Sequence, residues 1–243
     1  NLIDHYVVRI VNRLQGSPTV NELARFPRVL PEIARFFLPG KGALTFGVTT
    51  AQVFCDSREG LASPDLQLLF TPGSTHPLKF GQLDDEPGMS CVVCVVKPDS
   101  RGTVMAESAD PFARPAIRPN YFTARTDELA LLGGVRHVRR IFAAPALAQH
   151  SLGETKPGPD LDSDADLLDY ARRFGNTLYH PVGTCKMGED PRAVVDSRLR
   201  VRGIQGLRVN NATVMPTLTT GNTNAPAIMI GEKGAAMIRE DAA

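Results

Sequence analysis

His180 stands in Tyr179-His180-Pro181-Val182-Gly183-Thr184-Cys185-Lys186-Met187-Gly188, an imidazole followed by a proline and two glycines. A ring held rigidly in such a loop, with an ordinary pKa of about 6.5, suits proton abstraction at neutral pH. A solitary loop histidine is more often structural, so these residues alone leave both readings open. No Gly-x-Ser-x-Gly accompanies it, which leaves a hydrolase without its nucleophile elbow. Three further histidines, His76 in a Ser-Thr-His-Pro turn and His137 and His150 in or just beyond a helical stretch, read as structural.

A second region with chemical potential lies near the end. Leu207-Arg208-Val209-Asn210-Asn211 reads as a strand, and Gly221-Asn222-Thr223-Asn224-Ala225-Pro226 as a polar turn opening a helix. Strand, turn and helix N-terminus in that order are the local geometry of an anion or cofactor site, with an ordinary capped helix as the competing reading. Cys91 and Cys94 form a C-x-x-C, but inside the apolar run Met89 to Val96. Three positions apart on a strand, their side chains point to opposite faces, and no second pair completes four ligands. They read as buried thiols rather than as a metal or redox site.

These residues need a scaffold, and the spacing of apolar positions describes one. Leu23, Phe26, Leu30, Ile33, Ala34 and Phe37 recur at helical spacing, divided by Pro27 and Pro31 into two short helices or one kinked helix. Residues 45–55 and 65–70 alternate as half-buried strands, with Leu66, Leu68 and Phe70 on one face, and Met89 to Val96 reads as a central strand. Pro98 to Gly102 predicts a hairpin into Thr103 to Ala106. A helix is expected over 126–142, with Leu131, Val135, Val138 and Phe142 inward and Arg136, Arg139 and Arg140 on a solvated face. Gly153 to Asp162 reads as an exposed connector, and Ser163 with Asp166 caps a helix carrying Leu167, Leu168, Ala171 and Phe174 inward. In the last third, 199–202 and 207–211 read as two strands around a turn. Ala227, Ile230, Ala235 and Ile238 are the expected core side of the final helix, thinned by Gly231 and Gly234.

Composition bounds the function. The 243 residues carry 27 Lys+Arg against 26 Asp+Glu, a net +1, so no broad basic face is available for nucleic acid. No apolar stretch approaches the roughly 20 residues that span a bilayer. Nineteen prolines and 21 glycines argue against a pure helical bundle. Four cysteines fit a reducing compartment, hence a cytoplasmic location with membrane association as the alternative. The chain opens on Asn1 with neither initiator Met nor leader, which leads to the expectation that upstream sequence exists.

Several segments, in order, closely resemble one enzyme family. They are Asn1-Leu2-Ile3-Asp4-His5, Ser100-Arg101-Gly102-Thr103-Val104, Pro119-Asn120-Tyr121, the Tyr179 to Gly188 loop, and Met215-Pro216 through Asn222-Thr223-Asn224-Ala225-Pro226. The family is the glucose-methanol-choline (GMC) oxidoreductases, and the likeness is greatest to its choline and alcohol dehydrogenase branch. It implies an α+β fold: a mostly antiparallel sheet flanked by helices, plus the C-terminal strand and helix of an FAD-binding α/β domain. The implied division is a junction strand over 1–12, a substrate-binding domain over 13–178, and a C-terminal part of the FAD domain over 179–243.

The resemblance also implies an FAD enzyme oxidising a primary alcohol to an aldehyde, with His180 taking the hydroxyl proton while hydride leaves for flavin N5. Asn222 then binds the same substrate oxygen; an amide does not titrate at neutral pH, which leaves His180 as the proton acceptor of the pair. Asn211 and Ala212 match a flavin-contacting segment that usually reads Asp-Ala, and Thr223, Asn224 and Ala225 match residues at the flavin's pyrimidine edge. One departure stands out. No Gly-x-Gly-x-x-Gly is present, and Gly40-Lys41-Gly42 comes nearest with Thr45 in the third glycine's place. The ADP-binding half is therefore expected elsewhere, on the same polypeptide or on a partner chain. With no Trp and only four Tyr, an aromatic cage for a choline-like cation is disfavoured against an uncharged alcohol. An oxygen-using oxidase and a noncatalytic partner subunit are the alternative readings.

Overall fold

Alternating and continuous apolar runs supply the strands. A computed structural model describes residues 1–38, 40–47, 49–76 and 82–242. Its elements are β1 (Tyr6–Leu14), α1 (Val20–Leu23), α2 (Val29–Phe37), β2 (Ala51–Cys55), β3 (Leu66–Thr71), β4 (Gly88–Val95), β5 (Thr103–Met105) and β6 (Ala116–Arg118). There follow α3 (Arg125–Phe142), α4 (Pro145–Ala148), β7 (Ser151–Lys156), α5 (Asp164–Phe174), β8 (Asn176–Thr177) and α6 (Asn224–Ala242). The fold is mixed helix and antiparallel sheet. No helix among the described residues is long and apolar enough to cross a membrane.

The chain divides into two compact units. One comprises residues 7–94 and 129–176, the other 1–6, 95–128 and 177–243. This division does not follow the boundaries 13–178 and 179–243 expected from sequence. Residues 95–128 lie inside the expected substrate-binding segment yet pack with the chain's two ends. The physical reason is local. Leu2 and Gly102 exchange backbone hydrogen bonds at 2.9 and 2.8 Å, and the Asp127 carboxylate accepts from the Asp99 and Ser100 amides at 2.7 and 3.0 Å.

The 7–94/129–176 unit is built on a sheet of order β2-β3-β4-β1-β7, with β8 also paired to β1. The apolar run at Met89 to Val96 becomes β4, between β3 and β1 and buried almost throughout, as its composition predicts. Cys91 and Cys94 are both buried there and joined in no disulfide, and burial pushes the Cys91 thiol up to about 12. β3 departs from the half-buried expectation: Leu66, Gln67, Leu68 and Leu69 are all buried because β3 is an interior strand, with Gln67 donating to the Gln52 side chain at 2.9 Å. The expected strand over 45–55 contracts to β2 after a 3-10 turn at Ala43–Thr45.

Helices cover this sheet through the predicted stripe. Leu131, Val135, Val138 and Phe142 of α3 are buried, and a Cβ at Gly134 would meet Val93 Cγ1 at 2.4 Å, so the missing side chain lets α3 approach β4. Pro27 lies between α1 and α2 as expected, whereas Pro31 falls in the first turn of α2, where a missing amide hydrogen costs nothing, and the Thr19 and Glu22 side chains cap α1 reciprocally. Ser163 caps α5 by accepting from Asp166 N at 3.1 Å; Leu167, Leu168 and Ala171 are buried, whereas Phe174 is half exposed. Two expectations are corrected here. Residues 151–156 form a strand, because β1 offers its edge, and only 157–162 connect. Arg139 does not belong to a solvated face, since its guanidinium clamps the Glu154 carboxylate at 2.8 and 3.0 Å.

In the other unit a core of Ile3, Val182, Val195, Leu199, Val214, Met215 and Ile230 draws together three distant stretches. The hairpin expected at 98–106 does not form from β4; β5 pairs with β6 instead, since Asp127 and Leu2 turn the 99–102 loop away. The pair 199–202/207–211 is reduced to bridges, with Val201 N donating to Leu207 O and Val209 N to Leu199 O. Of the expected core side of α6 only Ile230 is buried. Gly234 is pressed against Asn210, whereas Gly231 faces open space and thins no contact.

Gly102 has no room for a side chain. A Cβ there would sit 2.3 Å from the Arg118 carbonyl oxygen and 2.7 Å from that of Pro119. Backbone cannot yield as a flexible side chain does, so Gly102→Ala should destabilise by about 2 kcal/mol. Thermal denaturation should show a fall in Tm of roughly 4–8 °C.

Candidate active site

The His180 loop is held against the chain's opening residues like an added strand. Ile3 and Val182 exchange backbone hydrogen bonds at 3.0 and 2.8 Å, Leu178 N donates to His5 O at 2.8 Å, and Asn1 Nδ2 donates to Gly183 O at 3.1 Å. Gly183 has φ +84°, and a Cβ there would fall 2.4 Å from Asn1 O; only glycine serves both constraints. Tyr179, just before His180, is itself held at φ +62°, an uncommon conformation for a bulky residue, while its amide donates to Thr177 Oγ1 at 2.8 Å.

One carboxylate fixes the loop. Asp4, buried, accepts from Tyr121 Oη at 2.6 Å, from Thr177 Oγ1, and from the His180 amide at 3.0 Å. Burial, with the Asp4 charge adding to it, pushes the Tyr121 phenol well above its ordinary range, so it remains a donor. The His180 backbone is thereby anchored and its ring is free to be oriented from elsewhere.

That orientation comes from His5, whose ring is fully buried. His5 Nδ1 lies 2.9 Å from His180 Nδ1, and His5 Nε2 lies 3.3 Å from the Val96 carbonyl oxygen. A carbonyl only accepts, so His5 Nε2 carries a hydrogen and its Nδ1 is the acceptor. His180 Nδ1 must then be the donor. On the far side of the ring His180 Nε2 stands 3.4 Å from Asn222 Nδ2, which only donates, so Nε2 bears the lone pair. The order Asn222, His180, His5, Val96 is internally consistent in one tautomer and leaves a base at Nε2. Burial lowers the pKa of His180 while Asp4 opposes the shift, so the ring is neutral at neutral pH.

The structure thus brings His180 and Asn222 together. Asn222 is exposed and His180 half-buried. A cavity of about 580 Å3 lies alongside, lined by Asp4, Tyr121, Thr177, Tyr179 and Pro181, but neither His180 nor Asn222 lines it. Thr223, Asn224 and Ala225 follow directly at the N-terminus of α6, Thr223 buried and the other two exposed. Asn211 and Ala212 stand apart from the pair: Asn211 Oδ1 accepts from Thr213 N at 2.9 Å and Thr213 Oγ1 at 2.6 Å, capping a short 3-10 turn at Ala212–Val214. Sequence reasoning gave no role to His5, Asp4, Tyr121 or Thr177. A signal was available in Asp4-His5, two polar residues at the threshold of the apolar strand β1, where burial demands partners.

Comparison with known proteins places this geometry. The family model described as GMC oxidoreductase matches residues 98–231, more than half of the chain. The chain belongs to the GMC oxidoreductase family. An alcohol dehydrogenase [acceptor] of Pseudomonas putida is 37% identical over 240 residues, covering 98% of this chain and 43% of that protein. An oxygen-dependent choline dehydrogenase of Escherichia coli is 40% identical over 206 residues, 85% of this chain and 36% of that one. Among solved structures, a formate oxidase of Aspergillus oryzae, studied for FAD modification, superposes with a TM-score of 0.86 at 25% identity, covering 99% of this chain and 47% of its own. This GMC chain therefore spans less than half the length of each of these relatives.

The buried His5 has a consequence for acid stability. Burial and the neighbouring His180 lower its pKa from 6.5 to about 4, against the opposing pull of Val96 O and Asp4. Between those values the unfolded chain binds a proton that the folded chain does not. Stability from this group is complete above pH 6.5 and lost as pH falls toward 4, ~3 kcal/mol in all. Denaturant unfolding across this window should give a slope steeper for the native protein than for His5→Gln, by up to ~1.4 kcal/mol per pH unit.

Proposed function

We propose that this chain is the substrate-activating half of an FAD-dependent alcohol dehydrogenase, oxidising an uncharged primary alcohol to an aldehyde. The observation that carries the reading is the placement of His180 Nε2 beside Asn222 Nδ2, 3.4 Å apart, with the opposite ring nitrogen held by His5. A substrate hydroxyl seated between the two side chains donates to His180 Nε2 and accepts from Asn222. His180 takes the proton as the alkoxide character grows, and its Nδ1–H continues to donate to His5, so the ring does not turn during the transfer. A positioned base of this kind contributes about two to four powers of ten. The Asn222 amide stabilises the oxygen without competing for the proton.

FAD is part of the proposal, and the donor set fits it. The first N–H groups of α6 have no intrahelical acceptor, and the helix end is positive. Asn224 and Ala225 are exposed there, a donor edge suited to an electron-rich pyrimidine ring. Thr223, Asn224 and Ala225 would hold that ring edge, while Asn211, whose Oδ1 is committed to Thr213, would offer its amide hydrogens beside Ala212. When bound, FAD supplies the hydride acceptor.

The remaining parts follow from the same reading. Residues 13–178 would serve chiefly as the substrate-binding domain, with 1–12 and 179–243 contributing to an FAD domain whose ADP-binding half lies elsewhere on the polypeptide or on a partner chain. Ile228 and Met229 on α6, 60% and 54% exposed, are suited to packing against that half. Four cysteines joined in no disulfide support a cytoplasmic setting.

The test is turnover of a primary alcohol with an artificial electron acceptor by the FAD-loaded full-length enzyme. His180→Ala should lower kcat by about 10² to 10⁴ with flavin absorbance retained. Undiminished turnover would remove the assignment. Asn222→Ala should cost about 10-fold or more, since one stabilising donor to the reacting oxygen is lost.

A further inference from the structure

A second cavity, of about 300 Å3, opens in the 7–94/129–176 unit. Its lining is mixed, with Arg9, Lys156 and His76 on the one hand and the apolar Leu161, Tyr170 and Phe174 on the other. Tyr170 and Phe174 pair their rings at 5.3 Å between centroids, and the Tyr170 hydroxyl is occupied by the Arg9 carbonyl at 2.8 Å, leaving the ring face as the apolar wall.

Lys156 Nζ lies 3.5 Å from Asp84 Oδ2, a carboxylate it shares with Arg13 at 3.2 Å, while Arg13 also holds Glu86 at 2.9 Å. Glu154 is held by Arg139 at 2.8 Å. Among the described residues no carboxylate lies within ion-pairing distance of Arg9. A planar guanidinium with no ion-pair partner, in a cavity also lined by a second cation and two aromatic rings, matches an organic carboxylate: two oxygens for the fork of N–H groups and an apolar body for the rings.

We infer that this cavity is a binding site for a small organic carboxylate with a ring or short apolar body, with Arg9 as its anchor. A volume near the lower end for small-molecule sites favours a ligand of one ring over a larger one. Inorganic phosphate would satisfy the cations but leave the aromatic wall unused. The inference does not require the alcohol-oxidation reading, and its readout is binding, so the two stand or fall separately.

The probes are benzoate and its uncharged isostere benzamide, titrated calorimetrically into the purified protein. Benzoate should bind at least 10-fold more tightly. Arg9→Gln, a change at an exposed side chain, should abolish that difference while leaving benzamide unaffected, with the melting transition preserved. Phe174→Ala should weaken benzoate and benzamide alike. Equal affinity of the two probes for the native protein, or benzoate binding that survives Arg9→Gln, overturns the proposal.

Discussion

The Asp4 carboxylate governs the geometry of the candidate site. It is buried, and a buried carboxylate is tolerable only when its oxygens are supplied with donors. Here the donors come from Tyr121 and from Thr177 and the His180 backbone, so that with Asp4 itself three distant stretches of the chain meet. Satisfying one anion thus fixes where three segments must go. The main chain of the candidate base is placed before its ring is considered, which is the order that precise positioning requires.

The ring is then set by a different device, a one-way series of donors and acceptors. The Val96 carbonyl decides the tautomer of His5, His5 decides that of His180, and Asn222 closes the series at Nε2. A second imidazole serves this purpose in a way a carboxylate would not. Being neutral, it accepts from His180 without raising the basicity of its partner strongly, and burial keeps it neutral down to about pH 4. The result is a base whose proton-accepting nitrogen is specified by backbone carbonyl chemistry several bonds away.

Much of this was legible in the residues. The His180 loop and the Asn222 turn were identifiable from residue type and from their resemblance to GMC enzymes, and the helices α3, α5 and α6 from spacing and caps. What escaped were features created by contacts remote in sequence. Nothing local to Pro98–Met105 reveals that Asp127 and Leu2 will claim the loop and deny it a hairpin with β4. The Gly153 stretch carries the composition of a connector, yet the free edge of β1 makes it a strand. His5 sat within a recognised motif but was read as part of a label rather than as a buried base, because burial is a tertiary property. The division of the chain escaped for the same reason: boundaries drawn along a sequence assume contiguous pieces.

The pieces are not contiguous, and this bears on how the protein comes into being. Passing from one compact unit to the other at residues 6/7, 94/95, 128/129 and 176/177, the backbone leaves each unit unfinished at least once. On the ribosome Asp4 and His5 emerge well before Thr177 and His180, the separations in sequence being 173 and 175. Throughout that interval a polar pair destined for the interior stays solvated. Swapping either unit for a homologous one by a single cut and splice is ruled out on the same grounds.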